Sequence, residues 1–492
     1  MSSSTLPCPG LHAARQQPVL GRLGLAVLLS GGFITIFDLF VVNVATPSMQ
    51  STLSASFAQI SFIIAAYELA YGVLLIAGSR LGDRHGRRRL FMLGMAAFAL
   101  ASALCGVAPT ADALIAARVL QGAAAAMLFP QVYALIRVSY QGRERQRAFG
   151  LLGMTLGLAA IAGQVLGGGI VHADLFGLAW RGIFLLNLPV GLLAWRLARH
   201  IPESREPTGA RMDWPGAALA GTGLTLLLLA LIEGPSRHWP AWTVACGAAA
   251  VVALALFARM QRRIAARGGA PLVDMALLTQ PRFAAGCLLV LLVFSTASAM
   301  FLCYALLMQT GFGLDALTAS LIFAPASVGF IAGSMAAPRL VARFGTRAIA
   351  LAALLYGGAT AALMLQVGAA GASLAPWSLL PALVWLGAAQ GAVNTPLVNL
   401  ALGFVEDRQA GMAAGVVSTL QQVGAALGVS AAGMLFSATL EAYAGASAAE
   451  RHAQAFASAM QFNIAAILAA AALLWRLGRR AQAGQAATDS SS

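Results

Sequence analysis

Two carboxylates stand where carboxylates are costly. Glu68 lies in an apolar run, 59–79, that holds no other charge, and Asp38 lies likewise within 23–47. Each run is long enough to be a lipid-spanning helix, which takes ~20 residues for a ~30 Å hydrocarbon core. An ionisable side chain at that depth marks an ion, proton or substrate pathway, or else bonds another helix. Arg118 is a third such residue, within 112–137. At ~1.5 Å per helical residue, Asp38 sits ~22 Å, Glu68 ~15 Å and Arg118 ~9 Å along its span, in the central-to-outer band. Desolvation and a nearby arginine act oppositely on a carboxyl's hold on its proton. A group balanced between them can bind and release one. A proton and a cationic substrate then compete for one negative charge, which is exchange chemistry. Asp38 and Glu68 are expected to be the protonatable pair, with Arg118 tuning them. Arginine also binds anions, so Arg118 leaves the substrate's charge open.

The elements that position these groups are membrane helices. Hydrophobic residues make up 59% of the 492-residue chain, charged residues only 10%, and mean hydropathy is +0.80. Repeated long apolar runs indicate an all-α polytopic membrane protein rather than a β-barrel, which shows short alternating segments. The net charge of +14 does not imply nucleic acid, because the basic residues, all arginine, lie in short loops between apolar runs. The six histidines (His12, His85, His172, His200, His238 and His452) fall in tails or loops. Five cysteines show no metal or disulfide spacing. No cofactor, no metal and no enzymatic motif is expected.

Fourteen spans are predicted: 23–47, 58–79, 90–108, 112–137, 148–171, 181–198, 213–232, 241–259, 283–309, 317–337, 346–366, 377–401, 410–439 and 457–475. An even count places both ends on one side. Arginine-bearing loops follow the second, fourth, sixth, eighth and tenth spans, whereas the alternate loops hold only Arg181, Arg237 and Arg451. Both termini are therefore expected in the cytoplasm. The tail before residue 22 has no apolar core, so the first span should act as an uncleaved insertion signal. A repeat is visible: RLGDRHG at 80–86 matches RLVARFG at 339–345. Two six-span halves in parallel orientation, 23–200 and 283–476, explain that displacement. The expected organisation adds a tail at 1–22, a linker with two extra spans at 201–282, and a disordered tail at 477–492.

The string GSRLGDRHGRRR at 78–89 resembles the signature loop of the major facilitator superfamily. Glycines permit a tight turn and close approach. The resemblance implies that Gly78, Gly82, Asp83, Arg84, Gly86, Arg87 and Arg88 form a cytoplasmic gate latching the two halves. The second copy has Ala342 in place of the acid, so that latch is expected in one half only. FDLFVVNVATP at 37–47 resembles the first-span motif of the fourteen-span drug:proton antiporters within that superfamily. ALIAARVLQG at 113–122 resembles their fourth span, WRGIFLLNLPVG at 180–191 the start of their sixth, and the glycines at 411, 415, 424 and 428 their thirteenth. Gly153, Gly157, Gly163, Gln164, Gly167 and Gly168 resemble the glycine-rich antiporter motif, with Gln164 where the family has proline. The glycines permit close helix packing. Gln164 either adds a polar group to the pocket or bonds a neighbouring helix.

No acid lies deep in the last six spans, so titratable work is expected in the first half. Phe37, Asn43, Tyr67, Tyr71, Gln121, Tyr304, Gln309, Trp385, Gln390 and Asn394 are candidate substrate-lining residues. Aromatics beside the acids can hold a lipophilic cation or serve as ordinary packing. The resemblance implies a proton-coupled exporter of amphipathic, cationic compounds, acting as a monomer in a bacterial inner membrane on protons and a small-molecule substrate. A proton-coupled exporter of a neutral or anionic metabolite is the alternative; a membrane enzyme or receptor is remote.

Overall fold

The computed structural model describes residues 20–205, 213–236, 239–269, 271–405 and 410–489. Among them the chain is helical, without strands. The long helices are α1 (Arg22–Leu53), α2 (Phe57–His85), α3 (Arg87–Gly106), α4 (Ala111–Ser139), α5 (Gly142–Ala173) and α6 (Arg181–His200). Then come α7 (Trp214–Ser236), α8 (Ala241–Ala266), α9 (Pro281–Ala305), α10 (Ala316–Phe344), α11 (Thr346–Ala370), α12 (Leu380–Leu402), α13 (Ala410–Ala442) and α14 (Ala448–Asp489).

Thirteen of these are long and apolar enough to cross a bilayer. The exception, α12, has the length, at 23 residues, but is diluted by Gln390, Asn394, Thr395 and Asn399. Fourteen helices with short connections place both chain ends on one face, here called the near face. Helix α14 continues to Asp489, into the segment 477–492 expected as the C-terminal tail. The predicted tail 1–19 lies outside the described residues.

Local chemistry explains the helix ends. Ser56 and Gln59 form a reciprocal capping box at the start of α2. Gln59 also donates to Asp112 of α4 at 2.9 Å, which ties the two helix starts at the far face. The turns after α2 and α10 are single glycines, Gly86 at φ 107° and Gly345 at φ 59°, where a side chain would be strained. Both close the repeated string. The string is therefore mostly helix, with α2 running to His85 and α3 starting at Arg87. The sixth span, expected as one run, breaks between Leu185 and Asn187, two residues before Pro189, which has no N–H to give.

Within the first six helices α2 packs on α4, α3 on α4, and α1 on α5; among the last six, α10 packs on α12, α11 on α14, and α9 on α13. The two groups meet where α2 crosses α13, α5 crosses α10, and α1 touches α9. Helices α7 and α8 pair with each other, and α7 rests on α2 and α13.

The α5–α10 seam is closed at one end only. A Cβ added at Gly168 would lie 2.6 Å from the Ala316 carbonyl, at the far face. On the same face of α5, Gly153 has nothing within 4 Å and Gly157 meets only Ile331 at 4.0 Å. The halves thus touch toward the far face and part toward the near face along this seam.

Candidate functional site

Asp38 lies at the centre of a buried polar cluster. It is 0% exposed and Arg118 is 1% exposed. One carboxylate oxygen pairs with an Arg118 Nη. The other accepts from Gln121 Nε2 at 2.8 Å and from Asn187 Nδ2 at 3.2 Å. Arg118 also donates to Gln121 Oε1 at 2.8 Å and to the Ile63 carbonyl at 3.1 Å. Its guanidinium sits 4.2 Å from the Tyr67 ring centroid. Ser102 accepts from Asn187 at 3.0 Å and donates to the Phe184 carbonyl at 2.8 Å. Helices α1, α3, α4 and α6 each contribute, and α2 caps the arginine. A buried ion pair is tolerable only when its remaining donors and acceptors are met; here the carboxylate has three donors.

Glu68 stands apart from that pair. It is 3% exposed. Its Oε1 accepts from Ser298 of α9 at 2.7 Å, and its buried Oε2 has no partner. Asp38 holds the arginine within the first half, while Glu68 reaches across to the second.

A second polar cluster occupies the corresponding helices of the other half. Tyr356 (α11) lies 2.8 Å from Thr296 Oγ1 (α9) and accepts from Gln390 (α12) at 3.2 Å. Thr296 Oγ1 gives its own proton to the Val293 carbonyl at 2.7 Å, so the tyrosine hydroxyl donates to it. Asn463 (α14) donates to the Thr296 carbonyl at 3.1 Å. This cluster carries no charge.

The candidate lining residues do not converge on one surface. Phe37 is buried and stacked on Phe33, with centroids 5.8 Å apart. Tyr67 donates to the Thr35 carbonyl at 3.2 Å, and Tyr71 is buried between Tyr67 and Phe129. Asn43 donates to the Leu39 carbonyl at 2.9 Å, leaving its buried Oδ1 unpartnered, as is that of Asn394. Tyr304 donates to the Ala319 carbonyl at 2.9 Å. Gln309 crosses between halves, donating to the Val44 carbonyl at 2.8 Å from a π-helical turn, Leu306–Gly311. Trp385 is 41% exposed and lies beside Gly358 of α11. A cavity of about 700 Å³ opens at the far face between Phe57, His172, Gln309, Asp315, Phe436 and His452. There His172 and Asp315 join α5 to the start of α10 at 3.1 Å.

The glycine motif divides. A Cβ on Gly163 would lie 2.8 Å from the Phe37 carbonyl, and one on Gly167 2.5 Å from Val41, so both seat α5 against the helix that carries Asp38. Gln164 is buried and accepts from Ser327 of α10 at 3.3 Å, bonding the neighbouring helix. The signature string is held by residues after α6. Asp83 pairs with Arg87 at 2.8 Å, and Arg87 donates to Ser204 through its backbone at 2.9 Å and its side chain at 3.1 Å. The Arg88 backbone donates to Glu203 at 3.0 Å. Arg84 is exposed, and Arg80 donates to the Pro271 carbonyl. A Cβ on Gly78 would lie 1.9 Å from the Ala126 carbonyl, and one on Gly82 2.0 Å from Gln131. The glycines thus seat α2 against α4, while the contacts to Glu203, Ser204 and Pro271 run to the chain segments flanking the inserted pair α7–α8.

Ser102, Ser298, Glu203, Ser204, Tyr356, Thr296 and Asn463 carry much of this polar structure, and the motifs did not point to them. Asn187 was visible within its motif, without its partner.

The chain matches the Major Facilitator Superfamily over residues 28–429. It is 36% identical over 444 residues, 90% of this chain and 77% of the relative, to a Streptomyces coelicolor protein named "Probable actinorhodin transporter". It is 32% identical to the puromycin resistance protein pur8 of Streptomyces alboniger, covering 92% of this chain and 90% of that protein. The drug efflux pump JefA of Mycobacterium tuberculosis is 30% identical, over 86% of this chain and 82% of the pump. Among solved structures, an inward-facing bacterial homologue of the human lysosomal transporter Spinster superposes with a TM-score of 0.65 at 17% identity, covering 93% of this chain and 96% of that one. A D-xylose–proton symporter gives 0.64 at 15% identity, with 92% and 96% covered.

Proposed function

The chain belongs to the Major Facilitator Superfamily, a non-enzymatic transport protein of many membrane spans, and from that premise we propose that it exports amphipathic antibiotics or drugs in exchange for protons. Both termini would face the cytoplasm of a bacterial inner membrane. Relatives named for drug efflux and antibiotic resistance support the direction of transport and the substrate class.

The observation that carries proton coupling is Glu68, a buried carboxyl at the junction of the two halves with one oxygen unpartnered. A proton or a substrate cation can occupy that oxygen, and competition between the two gives exchange. The Asp38–Arg118 pair is already neutral in sum and triply bonded. Its role is to fix α1, α4 and α6 around the pathway and to take up a proton only when that packing changes. The near-face opening of the α5–α10 seam gives access from one side; rocking of the halves about the α2–α13 and α5–α10 crossings would give it from the other. Coupling requires each passenger to favour a different access state.

The test uses inverted membrane vesicles with an acidic lumen and a lipophilic cationic dye. Wild type should accumulate dye as the gradient is imposed. Glu68→Gln should abolish gradient-driven uptake while the protein remains folded, and Asp38→Asn should reduce it strongly. Undiminished, gradient-dependent uptake by Glu68→Gln would remove that residue from the mechanism. Uptake of neutral or anionic compounds alone would redirect the substrate class.

A further inference from the structure

We propose that Ser298 is a positioning residue that couples the occupancy of Glu68 to the relative placement of the two halves. The inference rests on the proposed proton role of Glu68 and adds the element that reads it.

The face of α2 that carries Glu68 is the one turned to the second half. Phe57 stacks on Phe436 of α13, with centroids 5.8 Å apart. Ser61 and Phe57 flank the point where Gly433 of α13 meets α2. Thr419 of α13 donates to the Gly72 carbonyl at 2.8 Å. Positions 57, 61, 68 and 72 share one side of a helix at 3.6 residues per turn. Along the same seam α13 presses against α9, where a Cβ on Gly428 would lie 1.7 Å from the Ser295 carbonyl. Ser298 is one turn further along α9. Glu68 and Ser298 therefore meet where α2, α9 and α13 converge, 230 residues apart in sequence and in different halves.

The chemistry is asymmetric. Oε1 is held by a single hydroxyl, and Oε2 is held by nothing. A hydroxyl donor favours a carboxylate over a carboxylic acid, so binding a proton at Oε2 weakens the bond to Ser298. Loading Glu68 thus loosens one tie between the halves, and unloading tightens it. Other charged groups are few here. Arg118 of α4 reaches the Ile63 carbonyl on α2 and is paired with Asp38 of α1. On α2 the neighbouring titratable side chains are Tyr67 and Tyr71. Helix α9 offers Arg282 at its near-face start and, further along, Cys287, Cys303 and Tyr304; α13 has no ionisable side chain before Glu441, and α7 has Glu233 near its far end. The Ser298 hydroxyl is the contact that distinguishes the two states of Glu68 from the side of the second half.

The experiment measures dye uptake into inverted vesicles as a function of pH for wild type, Ser298→Ala, Ser298→Cys, Ser298→Thr and Glu68→Gln, with size-exclusion chromatography reporting folded protein. Loss of the donor in Ser298→Ala should move the pH of half-maximal uptake upward by about one unit, a tenfold change in proton concentration. Ser298→Thr should restore the wild-type profile. Ser298→Cys, similar in size with a weak donor, should shift in the same direction and supplies the answer if the alanine variant fails to fold. An unchanged pH profile in Ser298→Ala or Ser298→Cys, alongside a Glu68→Gln variant that no longer couples, would overturn the role of Ser298 and leave Glu68 in place. Wild-type behaviour of Glu68→Gln would overturn both.

Discussion

The two polar clusters are built on equivalent helices and differ in charge. In the first half α1, α3, α4 and α6 bring together Asp38, Ser102, Arg118, Gln121 and Asn187. In the second half α9, α11, α12 and α14 bring together Thr296, Tyr356, Gln390 and Asn463. Each cluster ends in an asparagine on the last helix of its half. Each pins four helices by hydrogen bonds that cross a bundle with little hydrophobic force of its own in lipid. Only the first depends on a proton count. One half is built to hold its shape whatever the pH, and the other has charges that must stay matched. Glu68 and Ser298 lie at the joint between the two kinds of half.

The largest expected effect breaks that contrast directly. Asp38→Ala strands the Arg118 guanidinium without its counter-ion in a fully buried site, which costs about 3–5 kcal/mol. Tyr356→Phe removes one neutral hydroxyl with its bonds to Thr296 and Gln390 and costs about 1–2 kcal/mol. Thermal unfolding in detergent should rank Asp38→Ala far below Tyr356→Phe, and Asp38→Ala with Arg118→Leu should recover much of the loss. Equal losses at the two sites would show that charge is not what separates the halves.

Helix α5 offers a second contrast, between Gly163, packed against α1, and Gly153, at the open end of the α5–α10 seam. Gly163→Val drives a side chain into the Phe37 carbonyl and Phe40, at 2.8 and 2.9 Å for the first carbon alone, and overpacking of this kind costs about 1–3 kcal/mol. Gly153→Val enters open space and should leave stability within about 0.5 kcal/mol, typical of a site away from packing. Gly163→Val should also lower transport, because α5 bears on the helix that carries Asp38. Matching behaviour at 153 and 163 would mean that the near-face opening is not a feature of the protein in a membrane.

Much of this was legible in sequence because the membrane imposes one rule, the length and apolarity of spans. Helix α12 lies at the edge of that rule, since Gln390 and Asn394 lower its hydropathy, yet the span expected at 377–401 is a helix packed against α10. The gate string was legible as a motif, and its one-residue turn at Gly86 follows from glycine. Its partners were not, because Glu203 and Ser204 lie more than 110 residues away in a segment with no pattern of its own. Asp38 and Arg118 stood out as charges in apolar runs. Which charge meets which is a matter of helix rotation, and a serine such as Ser298 leaves no trace in an apolar window.

The smallest expected effect concerns the far-face joint between His172 and Asp315. Asp315 caps α10, accepting from Leu317 and Thr318 backbone N–H groups at 3.0 and 3.1 Å and from the Thr318 hydroxyl at 2.6 Å. The Thr318 hydroxyl, then the helix-start N–H groups and His172, hold its carboxyl below the usual carboxylate range. Folded Asp315 therefore binds its proton less readily than unfolded Asp315. Its stabilisation is present above the ordinary carboxylate pKa and is lost as pH falls through the lowered folded value. The pair is partly exposed, so His172→Ala should cost between 0 and about 1 kcal/mol, while Asp315→Ala, which also removes a cap, should cost about 1 kcal/mol more. Melting temperature measured from neutral to acid pH should fall in wild type as pH drops through the lowered Asp315 value, and that part of the fall should be absent in Asp315→Ala. If Asp315→Ala follows the wild-type curve, the far-face joint is set by helix packing, and the charge contrast between the halves ends at the buried clusters.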